Sequence, residues 1–256
     1  MYRLEWCAED EPSAKKLVLI IEFLLFGSHI LTMNQTIYRS TSSPAVTAES
    51  MNKVLRNTYA LLSMTLLFSA AMAGVSIALN WPYPGVMITL VGYFGLLFLT
   101  TKLRNSSWGI LSVFALTGFM GVTLGPIVNM YLYAYANGTE LVMMALGGTG
   151  VIFLAMSGIA LTSKRDFSFM GKFLMIGILV AFVAALGNLF FQFQPLALAV
   201  SSMFVMLMAG LILWQTQQII RGGETNYIMA TVTLFVSIFN LFTSLLHLLG
   251  FGFGGD

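Results

Sequence analysis

Residues 227–251 read YIMATVTLFVSIFNLFTSLLHLLGF, and this stretch decides the fold. It contains no Asp, Glu, Lys or Arg. It is also long enough to cross the hydrocarbon core of a bilayer, which needs about 20 apolar residues in a helix. A membrane β-strand would be shorter and would alternate polar with apolar side chains, and this run does not alternate. The stretch is therefore predicted to be a transmembrane α-helix.

Polar side chains recur along this run at helical spacing. They follow one another at intervals of four, three, four and three residues: Thr233, Ser237, Asn240, Ser244 and His247. These intervals place all of them on one helix face, here called the polar stripe. Lipid offers no hydrogen-bond partners, so the polar stripe must contact protein or water. Two interpretations stay open: bonds to neighbouring helices, or the lining of a hydrated cavity. Both place the last helix at the centre of the protein.

Six further apolar runs precede this stretch, at about residues 58–79, 85–101, 108–132, 141–162, 173–191 and 196–220, and the second and fifth runs are the shortest. The chain is 58% hydrophobic and 9% charged, whereas soluble domains carry about 25% charged residues. The predicted fold class is all-α: a polytopic membrane protein with seven transmembrane helices in residues 58–256.

The basic residues indicate how the helices are oriented. From residue 39 onward, Lys and Arg occur only before the first run and in alternate gaps: Arg39, Lys53, Arg56, Lys102, Arg104, Lys164, Arg165, Lys172 and Arg221. The gaps at 80–84, 133–140 and 192–195 contain neither residue. Short cytoplasmic loops carry the positive excess, so the amino-terminal side is predicted to be cytoplasmic and the carboxyl end outside. Orientation accounts for these charges, and the net charge of +2 gives no indication of nucleic-acid binding.

The amino-terminal part divides at Met33. Residues 1–32 include a short apolar stretch interrupted by Glu22 and His29, without a small-residue cleavage site. We expect translation to start at Met33; the alternative is an interfacial amphipathic segment. Residues 33–57 are predicted to form a flexible cytoplasmic tail, because the Ser- and Thr-rich part from residue 33 to 52 is too polar to bury a core. The candidate interaction residues of this tail are Met33, Tyr38, Arg39, Lys53 and Arg56.

The composition argues against catalytic and metal chemistry. No predicted span contains Asp, Glu, Lys or Arg in its interior, and no HExxH or GxSxG motif is present. A single cysteine, Cys7, and two distant histidines, His29 and His247, do not suggest a metal site. We therefore expect a protein that is not an enzyme and that needs no cofactor. The absence of these charged residues also argues against ion-coupled transport, which usually requires such groups at membrane depth.

Glycines indicate where helices approach one another closely. Gly118, Gly121 and Gly125 form a small-residue face on the third run. A similar close approach is predicted on the fourth run from Gly147, Gly148 and Gly150.

Several motifs resemble the Bax inhibitor family of seven-helix membrane proteins, and most closely its bacterial YccA-like branch. They are KVLRNTY at residues 53–59, TGFMGVTLGPIVN at 117–129, LTSKRDFSFMG at 161–171, GGETNYIMATVTLFVSIFNLF at 222–242 and LLHLLGF at 245–251. The resemblance implies a protein of the bacterial inner membrane that binds the ATP-dependent protease FtsH. It would be both a substrate and a modulator that restrains degradation of other membrane proteins. Because FtsH draws substrates in from a flexible cytoplasmic end, the polar part of the tail at 33–52 is the matching feature.

The wider family implies a rival function, a calcium leak controlled by two aspartates on the last two helices. Those positions correspond here to Gln215 and Ser237. Neither side chain can hold a charge, and the carboxylate oxygens on which calcium affinity depends are missing. The resemblance therefore implies the fold without the paired-aspartate mechanism.

Overall fold

The computed structural model describes residues 48–191 and 193–253. The extension at 1–32 and the tail candidates Met33, Tyr38 and Arg39 lie outside the described residues. Within them the chain is helical throughout, apart from short connections, and the helices follow in this order: α1 Ala48–Ala78, α2 Val86–Leu103, α3 Trp108–Ala134, α4 Gly138–Thr162, α5 Met170–Phe191, α6 Gln194–Ile220 and α7 Tyr227–Phe253.

These helices confirm the predicted all-α membrane fold. Five of them, α1, α3, α4, α6 and α7, are long and apolar enough to cross a membrane. The apolar parts of α2 and α5 are shorter, as the lengths of the second and fifth runs predicted. Both short helices lie at the periphery, where α2 packs chiefly against α3 and α5 against α6.

The first helix begins at Ala48, earlier than the predicted start at residue 58. Hydropathy detects only the apolar part of this helix, but the residues before it are mostly strong helix formers. Val54 and Leu55 also pack against the core and hold the polar turn in place. Lys53 and Arg56 are therefore exposed on a helix and do not belong to a flexible tail, which corrects the predicted boundary at residue 57.

The last helix is central, as predicted. It packs against α1, α3, α4 and α6, and most of its side chains are buried within the protein. A membrane helix surrounded by other helices can carry polar groups that lipid would not accept. The central position of α7 thus explains how the polar stripe lies at membrane depth.

The glycine face of α3 makes the predicted close contact, and its partner is α1. A side chain added at Gly121 would overlap the backbone carbonyl oxygen of Ser69. At Gly125 it would lie 2.6 Å from Ser76, whose hydroxyl donates to the carbonyl oxygen of Val122 at 3.0 Å. The corresponding prediction for α4 is wrong at Gly147 and Gly150, because no heavy atom lies within 4 Å of a Cβ added at either glycine.

All Lys and Arg residues of the described part lie at one end of the bundle, here called the basic end. Hydrogen bonds join its elements: the start of α7 to the connection after α2, the end of α6 to the connection after α4, and Thr231 of α7 to the carbonyl oxygen of Thr58 in α1. At the opposite end Asn137 donates to the carbonyl oxygen of Phe253 at 2.6 Å. The alternation of charge in the sequence therefore corresponds to two chemically different ends.

Candidate functional site

Every residue of the polar stripe is buried in the bundle. Ser237 donates to the carbonyl oxygen of Thr233 at 2.8 Å, and Asn240 donates through Nδ2 to the carbonyl oxygen of Val236 at 2.9 Å. Both bonds stay within α7, an arrangement that neither sequence interpretation included. These bonds give each of the two side chains an acceptor within α7 itself.

His247 of the polar stripe has a defined partner on another helix. Its Nδ1 lies 2.8 Å from the hydroxyl oxygen of Ser201 in α6, and both side chains are buried. The pair fastens the last two helices on the side away from the basic end. It is the kind of helix-to-helix bond that the first sequence interpretation described.

The positions that match the paired aspartates lie on adjacent helices. Gln215 of α6 is 1% exposed and Ser237 of α7 is fully buried. Within the described residues, the Nε2 of Gln215 and the Oδ1 of Asn240 are buried without a hydrogen-bond partner. A buried unpaired amide group costs about 1–3 kcal/mol. Gln215 near the end of α6 and Asn240 in the middle of α7 therefore retain unused donor and acceptor capacity, and neither side chain changes charge near neutral pH. In the described part of the chain, His, Cys, Asp and Glu form no cluster of three that could hold a metal ion.

A second polar centre lies at the basic end, where α6 holds the connection between α4 and α5. Gln217 is 2% exposed. Its Oε1 accepts from the amide of Phe167 at 2.7 Å, and its Nε2 donates to the carbonyl oxygen of Arg165 at 2.6 Å. One buried side chain thus binds the connecting loop, residues 163–169, through both of its polar atoms.

Arg221 reinforces this attachment from the end of α6. It donates to the carbonyl oxygen of Arg165 at 2.8 Å and forms an ion pair with Asp166 at 3.2 Å. The side chain and amide of Ser168, followed by the charge of Arg221, hold the pKa of Asp166 below its ordinary value. Because the ion pair is exposed, it contributes little to stability, and Gln217 is the principal anchor of the loop.

We expect Gln217→Leu to release the loop at 163–169 while leaving the bundle folded. Both anchoring hydrogen bonds disappear, and the amide of Phe167 loses its acceptor. Trypsin should then cut after Lys164 and Arg165 several times faster in detergent-solubilised protein. Gln217→Glu is the matched control, since it keeps an acceptor for Phe167 and should give an intermediate rate. Unchanged cleavage in Gln217→Leu would contradict the anchoring role.

Asn226 organises the other side of the basic end. Its Oδ1 accepts from the amides of Ile228 and Met229 at 3.0 and 3.1 Å, which caps the start of α7. Its Nδ2 donates to the carbonyl oxygen of Arg104 and to Oδ1 of Asn105, both at 3.0 Å. One side chain therefore caps the central helix and also binds the connection between α2 and α3.

Replacing Asn226 should separate these two roles. Asn226→Ala removes the cap and both bonds to the α2–α3 connection, and we expect a loss of about 2 kcal/mol. Asn226→Asp keeps the cap acceptor and loses the donor, so about half of that loss should remain. Equilibrium unfolding in mixed micelles measures both values. Equal stability of Asn226→Ala and wild type would show that the contacts contribute nothing.

Sequence reasoning missed Gln217 and Asn226 for different reasons. Asn226 directly precedes the apolar run at 227–251, and this position is the ordinary signal of a helix N-cap. Gln217 gave no such signal, because its partners are backbone atoms of a distant loop.

Comparison with known proteins identifies the family to which this architecture belongs. Residues 51–254 match the family described as "Inhibitor of apoptosis-promoting Bax1". The chain belongs to the Bax inhibitor family. The match extends from the first turn of α1 to the end of α7 and therefore covers the polar stripe, Gln217 and Asn226.

Individual relatives are similar over nearly their whole length. The chain is 50% identical to "Modulator of FtsH protease YccA" of Escherichia coli K12 over 212 residues, which is 83% of this chain and 96% of that protein. It is 49% identical over 224 residues to an uncharacterized protein of Pseudomonas aeruginosa, with 88% of this chain and 100% of that protein covered. A protein of Escherichia coli O6:H1, also 50% identical over 212 residues, is named "Inner membrane protein YccA". Together with the apolar helices, these relatives identify the chain as a multi-pass membrane protein of the YccA-like branch.

Proposed function

We propose that this Bax inhibitor protein acts in the bacterial inner membrane as a substrate and modulator of FtsH, restraining degradation of other membrane proteins. The observation that carries the proposal is the 50% identity across 96% of the Escherichia coli protein named as an FtsH modulator. In this role the protein is a binding partner of a protease and not an enzyme itself.

The distribution of charge supports the orientation that this role requires. The start of α1 lies at the basic end, and the positive excess of a membrane protein faces the cytoplasm. The start of α1 at Ala48 is therefore expected on the cytoplasmic side, where an ATP-dependent protease has access to the chain that precedes it. The carboxyl end of α7 then lies on the periplasmic side.

Lys53 and Arg56 place positive charge on the protein surface next to the tail. Both side chains are exposed on the polar first turns of α1, immediately after the tail. A protease that engages the tail meets this positively charged helix next. We propose that these two residues belong to the contact with FtsH, together with Met33, Tyr38 and Arg39 of the tail.

Co-purification tests the proposal directly. The tagged protein is solubilised in mild detergent and probed for FtsH in which ATP hydrolysis is blocked, so that bound protein is not consumed. We compare the form starting at Met33 with a form lacking 33–47, and we use an unrelated multi-pass protein with the same tag as control. Recovery of FtsH with both forms assigns binding to the helical domain and entry to the tail. Absence of FtsH from both would overturn the proposal.

A leak pathway around α7 is the second candidate. It is favoured by the Nε2 of Gln215 and the Oδ1 of Asn240, which are buried without a hydrogen-bond partner. Liposomes containing wild type, Ser237→Leu or Asn240→Leu should then differ in ion flux. Equal flux in all three, at the level of empty liposomes, would remove this candidate.

A further inference from the structure

The loop at 163–169 and the start of α5 carry positive charge that neighbouring acids do not neutralise. The one acid of the loop, Asp166, is already paired with Arg221. Lys164, Arg165 and Lys172 are exposed, and their side chains form no ion pair or hydrogen bond with other described residues. Three cations are therefore available to an external anion.

These cations are presented by a fixed backbone. Gln217 holds Arg165 and Phe167 through their backbone atoms, and Arg221 bonds to the same carbonyl oxygen of Arg165. Because the loop is bound at its backbone, binding an anion does not require the whole loop to be ordered first. A smaller entropic cost favours binding.

An exposed apolar strip begins directly beside these cations. Phe169 and Phe173 are 73% and 68% exposed on either side of Lys172. The strip continues along α5 through Ile176 and Val180, which are also exposed. Helical spacing places Lys172 in line with Ile176, at the basic end of the strip. On a membrane helix such a strip contacts acyl chains, which places Lys172 at the level of the lipid phosphates.

We propose that this surface, here called the α5 lipid site, binds an anionic phospholipid. Lys164, Arg165 and Lys172 contact the phosphate, and the acyl chains lie along Phe173, Ile176 and Val180. Arg offers paired donors to phosphate oxygens and Lys a mobile point charge. An acidic protein would match the cations alone, whereas a phospholipid also matches the apolar strip that continues from them. This site is independent of the proposed binding of FtsH.

Lipid titration of the full-length protein tests the proposal. Phosphatidylglycerol or phosphatidylcholine is added to detergent-solubilised protein, and bound lipid is counted by native mass spectrometry. We expect tighter binding of phosphatidylglycerol, and a loss of about 25-fold in Arg165→Gln/Lys172→Gln, since each basic residue near an anionic lipid strengthens binding about fivefold. Lys53→Gln/Arg56→Gln removes the same charge at the same end and should leave binding unchanged.

Control ligands and variants show whether the bound anion is a lipid phosphate, free phosphate or an acidic protein. Equal losses in both double variants, or equal binding of the two lipids, would overturn a local lipid site. Displacement of phosphatidylglycerol by millimolar inorganic phosphate would show a free-phosphate site instead. Phe169→Ser/Phe173→Ser should weaken lipid binding but leave the binding of polyglutamate, which stands for an acidic protein, unchanged. Unchanged lipid binding in that variant, with polyglutamate competing fully, would assign the surface to an acidic protein.

Discussion

Deleting residues 33–47 should lengthen the lifetime of the protein several-fold in cells with active FtsH, while the seven helices stay folded. The expectation rests on the proposed function and on the start of α1 at Ala48. A deletion that continued to residue 52 would remove the first turn of α1 and confuse loss of the entry segment with loss of structure. Ending the deletion at residue 47 leaves every described helix whole. Pulse-chase decay of a tagged protein measures the lifetime.

Three controls make this result specific. In cells with inactive FtsH, the deleted and complete forms should decay equally slowly. A tail of the same length and composition in scrambled order should restore rapid decay if FtsH requires only a polar, extendable end. Removing the last residues, 254–256, should have no effect, because they follow the end of α7 away from the basic end. Equal lifetimes of the deleted and complete forms in active cells would contradict the tail as the entry point.

The helix bounds show how much of this fold could be predicted from sequence. The apolar runs at 108–132 and 196–220 correspond closely to α3 and α6, because burial in lipid demands continuous apolar residues and makes their ends visible. The start of α1 was missed because the helix continues beyond the apolar zone into a polar turn. Hydropathy reports the length of the membrane contact and not the length of the helix.

The polar centres show what could not be predicted. The spacing of the polar stripe identified α7 as central, since lipid exclusion acts on any polar face regardless of its partners. The partners themselves were not predictable: Ser237 and Asn240 bond within α7, and His247 bonds to Ser201 on α6. Gln217 and Asn226 bind loops far away in sequence, and such pairings depend on tertiary geometry that no local pattern records. The same limit explains the wrong prediction for Gly147, whose helix face stays open.

Gly121→Ala should destabilise the bundle strongly at the contact between α1 and α3. The added methyl group would overlap the carbonyl oxygen of Ser69 and lie 2.9 Å from its carbonyl carbon, and both atoms belong to the backbone of α1. A backbone cannot rotate aside as a side chain can, so α1 and α3 must move apart. Overpacking of this kind costs about 1–3 kcal/mol. We expect a loss near the upper value, and a larger one for Gly121→Leu.

Gly147→Ala is the matched control for this prediction. It makes the same substitution within a helix of the same protein, but no heavy atom lies within 4 Å of the added group. The gain in helix propensity, at most about 1 kcal/mol, should then leave the variant as stable as wild type or slightly more stable. Equilibrium unfolding of both variants in mixed micelles, followed by tryptophan fluorescence, gives the difference. If the two variants unfold alike, the α1–α3 contact does not depend on the small size of Gly121. If only Gly121→Ala is weakened, the glycines of α3 determine how closely α1 is held, and α1 is the first helix that a protease pulling from the amino-terminal tail would have to detach.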